Sequence, residues 1–144
     1  MTPSLPDILV GNFLCVAEPP PPESAGEFMA GKVAVVALLS LLAAQEAERG
    51  LAARVWENAT LRAVLNEAAP VYGQAFAAAA SDAPDGDFTL AALDRSNAVL
   101  RRSLIALHEV VEVARDTARD QAILRLYQDM AHARRLDMPP LPGR

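Results

Sequence analysis

The sequence predicts an all-α fold, an up-down bundle of four to six helices, and three observations carry that prediction. At about 88–117, Leu90, Leu93, Asn97, Leu100, Leu104, Leu107, Val111 and Ala114 alternate at three- and four-residue spacing, the pattern of a long helix packed at a shallow angle along a neighbour. Prolines punctuate the chain, as "EPPPPE" at 18–23, Pro70, Pro84 and "MPPLPGR" at 138–144. Between those breaks, the alternating β-branched runs that mark strands are scarce.

Taken in order, a first short helix covers about 5–17, with Leu5, Ile8, Leu9, Phe13 and Val16 on one side. The four prolines 19–22 cannot continue it and form an extended strap of about 12 Å. Ser24 stands three residues before Glu27, the spacing of a capping box, so the next helix runs from about 25 to 48, with Gly50 able to stop it. A third segment, 51–69, sets Leu51, Val55, Leu61, Leu65 and Ala68 on an apolar stripe, with Arg54, Glu57 and Glu67 facing water. Pro70 kinks this helix or starts a further piece to about Ala80. "SDAPDGD" (81–87) is a turn whose Asp87 caps the heptad helix. Val99, Val110 and Val113 widen the heptad stripe. A last helix, about 118–136, presents Ile123, Leu126, Tyr127 and Met130, with Arg134 and Arg135 at the end where cations favour the dipole. Residues 1–137 thus read as one bundle domain and 138–144 as a proline-rich tail.

The run Val33–Ala44 has Ser40 as its one polar residue. A membrane span needs about 20 apolar residues, and this run of twelve is bounded by Lys32 and by Gln45, Glu46 and Glu48. It reads as a core helix covered by its amphipathic neighbours. A chain of 144 residues with the lone Cys15 needs no disulfide staple and fits a reducing cytoplasm. The opening "MTPSLPDILV" lacks the basic stretch of a secretory signal. Twelve of the thirteen basic residues are Arg and 29 residues are Ala, a composition that suggests a GC-rich bacterial source. Net charge is −5 and no basic cluster exceeds a pair, so nucleic acid is excluded as a partner, since its binding needs a basic face.

His108 precedes Glu112 by four residues and Asp129 precedes His132 by three, so each pair shares a helix face as in metal-binding bundles. An enzyme built on metal held by His108, Glu112, Asp129 and His132 is therefore one alternative. It is not the favoured one, because two histidines and no Glu-x-x-His are poor in ligands, and His108 reads as a solvated rim residue beside Asp94, Arg101 and Arg115. A phosphotransfer role for His108 is disfavoured by the flanking carboxylates of Glu109 and Glu112. Asn97 lies in the heptad seam, where a polar residue fixes register or partner. Trp56 reads as a helix-packing anchor and Cys15 as a small buried hydrophobe. No phosphate loop, CxxC, GxSxG or HExxH motif occurs; "PPLPGR" fits the PxxPxR pattern of proline-binding modules but reads as a tail.

Two resemblances bear on role. "DILVGNFL", "GKVAVVALLSLLAAQEAE" and "LDRSNAVLRRSL" together are similar, in order and texture over about half of the chain, to a small bacterial all-helical family of unassigned activity. Its members lie near acyl-CoA dehydrogenase-like and phosphotransferase-like genes, and the resemblance implies a fold. "ALLSLLAAQEAERG" with "NAVLRRSLIALHEVVEVA" resembles the helical hairpin of flagellar export chaperones, which implies binding of a helical protein client; the proline strap departs from that family. The expectation that results is a cytoplasmic, non-catalytic bundle with no cofactor, acting by protein contact and above all as a homodimer. Phe13, Val16, Trp56 and Asn97 are its candidate contact residues.

Overall fold

Ser4 opens the first helix by a reciprocal bond: its hydroxyl donates to Asp7 Oδ2 at 2.6 Å, and the Asp7 amide donates back to Ser4 Oγ at 3.4 Å. This is a capping box built with Asp in place of Glu, and α1 (Leu5–Ala17) follows it. The computed structural model describes residues 4–17, 25–82 and 86–138. The strap at 19–22, the Ser24 half of the expected second capping box and the tail from 139 onward fall outside them, as do the side chains of Phe13 and Val16. The protein is an all-α helical bundle, with five helices and no strand among the described residues. It divides into two compact units, Met1–Gly50 with Arg135–Arg144, and Leu51–Arg134.

One helix, α2 (Ala25–Tyr72), replaces the two expected at 25–48 and 51–69. Gly50 does not stop it. Glycine costs a helix roughly 1 kcal/mol, and the good helix formers on both sides, from Ala43 to Glu48 and from Leu51 to Arg54, outweigh that. Termination waits for Pro70, which has no amide to continue the ladder, and for Gly73 at φ +124°, a conformation open to glycine.

In the first unit, α1 lies against α2. Asn12 Nδ2 donates to Ser40 Oγ at 3.3 Å, and Ser40 donates in turn to Val36 O. Ile8 is buried, whereas Leu9, expected on the same side, is exposed with Val10. The segment after the last helix closes on α2 by a two-way clasp, in which Gln45 Nε2 donates to Asp137 O at 2.8 Å and the Asp137 amide donates to Gln45 Oε1 at 2.7 Å.

The second unit holds the core. After Gly73 come α3 (Ala75–Ser81), α4 (Leu90–Ala114) and α5 (Thr117–Ala133). The heptad stripe is buried at Leu93, Asn97, Leu100, Leu104, Leu107 and Val111. The last four of its apolar members meet Leu61, Leu65 and Ala68 of α2, Ala80 of α3, and Ile123, Leu126 and Met130 of α5. Each fully buried leucine contributes about 1.5–3 kcal/mol. Ala114, Val110 and Val113 are exposed, contrary to expectation, because α4 ends there: Arg115 turns left-handed at φ 55° and sends the chain back. Thr89, not Asp87, caps α4, its hydroxyl accepting from the Ala92 amide. Asp87 holds the turn by accepting from the Thr89 amide at 2.8 Å, a bond that lowers its carboxyl pKa.

Candidate functional site

Traced backward from Ala68, the buried line of α2 runs through Leu65, Leu61, Asn58, Glu57 and Arg54. Sequence reading placed Arg54 and Glu57 in water and Leu51 inside. The reverse holds: Arg54 and Glu57 are buried, and Leu51 is 43% exposed. From Leu61, helical steps of three and four lead to 58, 57 and 54, the side of α2 that meets Asp94, Asn97 and Arg134, while Leu51, one step of three further, is exposed at the end of that line.

Opposite these residues stand α4 and the end of α5. Arg134, the C-cap of α5, grips Glu57 with a fork, Nε to Oε1 at 2.9 Å and Nη2 to Oε2 at 2.7 Å. Asn97 Nδ2 donates to Glu57 Oε2 and to Asn58 Oδ1, each at 2.9 Å, and Asn58 Nδ2 donates to Leu93 O. Arg54 Nε donates to Asp94 Oδ1 at 2.7 Å, and that carboxylate also stands 3.6 Å from Arg134 Nη1. Two cations face two anions, and both Glu57 oxygens are occupied. Such a layer fixes helix register, and the Glu57 carboxylate, its side chain 1% exposed, is enclosed by the groups that donate to it.

The four residues weighed as metal ligands are split. The tight reversal at Arg115 sets the first turn of α5 beside the last turns of α4, so His108 meets Asp120: Nε2 lies 2.8 Å from Oδ1. Ligand atoms of His108, Glu112 and Asp120 all lie within 4.8 Å of one another. Asp129 and His132 are two to three turns further along α5 and exposed. His108 is no solvated rim residue, since its side chain is 16% exposed and its ring packs at 5.7 Å against Tyr127. Burial raises the Tyr127 hydroxyl pKa, with Glu112 adding to the effect and Arg101 opposing it. A cavity of about 370 Å³ borders this group, lined by Glu112, Arg115, Asp116, Thr117 and Asp120.

Asp116 caps α5 by accepting from the Arg119 amide, and its Oδ2 accepts a hydrogen bond from the Tyr72 hydroxyl at 2.7 Å. That bond is the largest cause of a lowered Asp116 pKa and of a raised Tyr72 pKa. Arg119 lies 5.4 Å over the Tyr72 ring and 3.5 Å from Glu67, beside a cleft of about 310 Å³ floored by Ile123 and Leu126.

The run expected to be a core helix is not one. Val33, Ala37, Leu41 and Ala44 are all exposed, at four-, four- and three-residue spacing on one face of α2. Val35 and Met29 are exposed as well, and in the 25–50 stretch Ala43, Glu46 and Gly50 are the buried positions among the described residues. Among the described residues this face of the stretch has no neighbour, so the apolar composition is not matched by cover. Of the candidate contact residues, Trp56 is 40% exposed and Asn97 lies in the buried polar layer; Cys15 is half-buried. No described helix is long and apolar enough to cross a membrane. No protein-family model, curated protein or solved structure matches the chain.

Proposed function

We propose that this protein is a non-catalytic helical module of the bacterial cytoplasm that works by protein contact, first of all with a second copy of itself. The observation that carries the reading is the exposed face Val33, Ala37, Leu41 and Ala44. It extends about 17 Å along the helix at 1.5 Å per residue, and a soluble chain gains by covering such a patch. The alternation of small and larger residues favours a copy as the occupant. A two-fold axis level with position 39 sets Ala37 of each chain against Leu41 of the other, small facing large on both sides, as an isologous interface requires. The cytoplasmic placement rests on the single free Cys15.

Light scattering at high micromolar concentration tests it. The wild type is expected at twice the 15.3 kDa chain mass, and Leu41→Glu at the chain mass with helicity unchanged. A monomeric wild type overturns the proposal.

A further inference from the structure

The geometry points to a second site: His108, Glu112 and Asp120 form a binding site for one divalent first-row transition-metal ion, independent of the self-association proposed above. His108 and Glu112 are one turn apart on α4, and Asp120 comes from the first turn of α5, so two rigid elements joined by the two-residue reversal Arg115–Asp116 fix all three. Metal bonds of about 2.0–2.2 Å to imidazole and carboxylate place any two donors of one ion roughly 3–4.4 Å apart. Donor atoms already within 4.8 Å of one another reach that range by small side-chain rotations.

The chemistry of the set agrees. A neutral imidazole with two carboxylates carries −2, which a divalent ion cancels. Glu112 has no hydrogen bond or ion pair from its carboxylate among the described residues, so it stands ready to be a ligand. The Tyr127 ring packs against the imidazole, with centroids 5.7 Å apart and the rings tilted by 52°. The cavity of about 370 Å³ on the side of Glu112 and Asp120 has room for the waters that complete a three-ligand coordination sphere. Arg115 also lines that cavity; its charge works against an ion held by attraction alone and so favours Zn²⁺, Co²⁺ or Mn²⁺, which bond to the donors, over Ca²⁺.

The test is calorimetric titration of the full chain, stripped of metal, with Zn²⁺ alone. One ion per chain is expected, at micromolar affinity or tighter. Loss of an outer-shell partner typically weakens a metal site about 10–100-fold, so loss of a ligand, in His108→Ala or Glu112→Gln, is expected to weaken it by more than about tenfold. Glu112 is exposed, so Glu112→Gln keeps the fold, as circular dichroism will report, and decides the matter should His108→Ala not fold. His132→Ala is expected to bind as the wild type does, and Co²⁺ in place of Zn²⁺ is expected to show visible absorption that Glu112→Gln alters. Absence of binding overturns the proposal, and so does binding unchanged in Glu112→Gln.

Discussion

Between positions 33 and 44, helix α2 carries Val, Ala and Leu and leaves Val33, Val35 and Leu41 in water; between 54 and 58 it carries Arg54, Glu57 and Asn58 and buries all three. The two stretches belong to one unbroken helix, so local conformation does not separate them. What separates them is the offer made by their neighbours. Asp94, Asn97 and Arg134 supply a partner for each buried polar group in the second stretch, which removes the several kcal/mol that an unpaired buried charge costs. Nothing described covers the outer face of the first. Burial follows the partners at hand and not the composition of the stretch.

The largest effect comes from breaking the polar stretch. Arg134→Leu leaves the Glu57 carboxylate, 1% exposed at its side chain, without its fork, and is expected to cost about 3–5 kcal/mol by chemical denaturation. Adding Glu57→Gln to that variant is expected to recover part of the loss, because the pair is coupled. A cost under 1 kcal/mol for Arg134→Leu would mean that water reaches the layer. Leu104→Ala, in the apolar core beneath, is expected to cost about 2–5 kcal/mol. The same measurement on Leu41→Glu is expected within about 0.5 kcal/mol of the wild-type monomer, since it changes an exposed position; a larger loss would place Leu41 inside the fold and dissolve the contrast.

The smallest effect is read in pH. The folded Asp116 carboxyl lies below its ordinary value, so its contribution is full above the usual carboxylate range and is lost as pH falls through the depressed folded value. Tyr72 is raised, so its contribution is full below about 10 and is lost as pH climbs through the raised folded value. Stability measured against pH should therefore have a shallower acid limb in Asp116→Asn and a shallower alkaline limb in Tyr72→Phe. Limbs that match the wild type in both variants would show that the Tyr72–Asp116 bond does not persist in solution.

Much of the second unit was legible. Leu93, Asn97, Leu100, Leu104, Leu107 and Val111 were read from spacing alone and are buried, because a helix with apolar residues at each inward step has one way to face a neighbour. α1 was read to the residue, although Leu9 was not. The polar layer was misread for a physical reason. A charge at a stripe position is assigned to solvent by composition, while its true place depends on Arg134, 77 residues away. The signal was present in the register of Arg54 and Glu57 with Leu61 and Leu65. The His108–Asp120 pairing was not legible, since it depends on the left-handed turn at Arg115, a residue type that seldom adopts it. Val33–Ala44 was misread in the opposite sense, because an apolar run shows what a helix could bury and does not show whether the described neighbours reach it.

The fork between Glu57 and Arg134 also sets a timetable for synthesis. Chains grow at about 5–20 residues per second, so Arg134 leaves the ribosome some 4–15 s after Glu57. For the last 20 residues of that interval, about 1–4 s, α2 and α4 are complete, yet Glu57 has no guanidinium to receive it and keeps its water. The nascent chain can pair its leucines early, but the polar layer closes only when α5 has been made to its last residue, and a pause placed just before Arg134 would hold the protein in that open form.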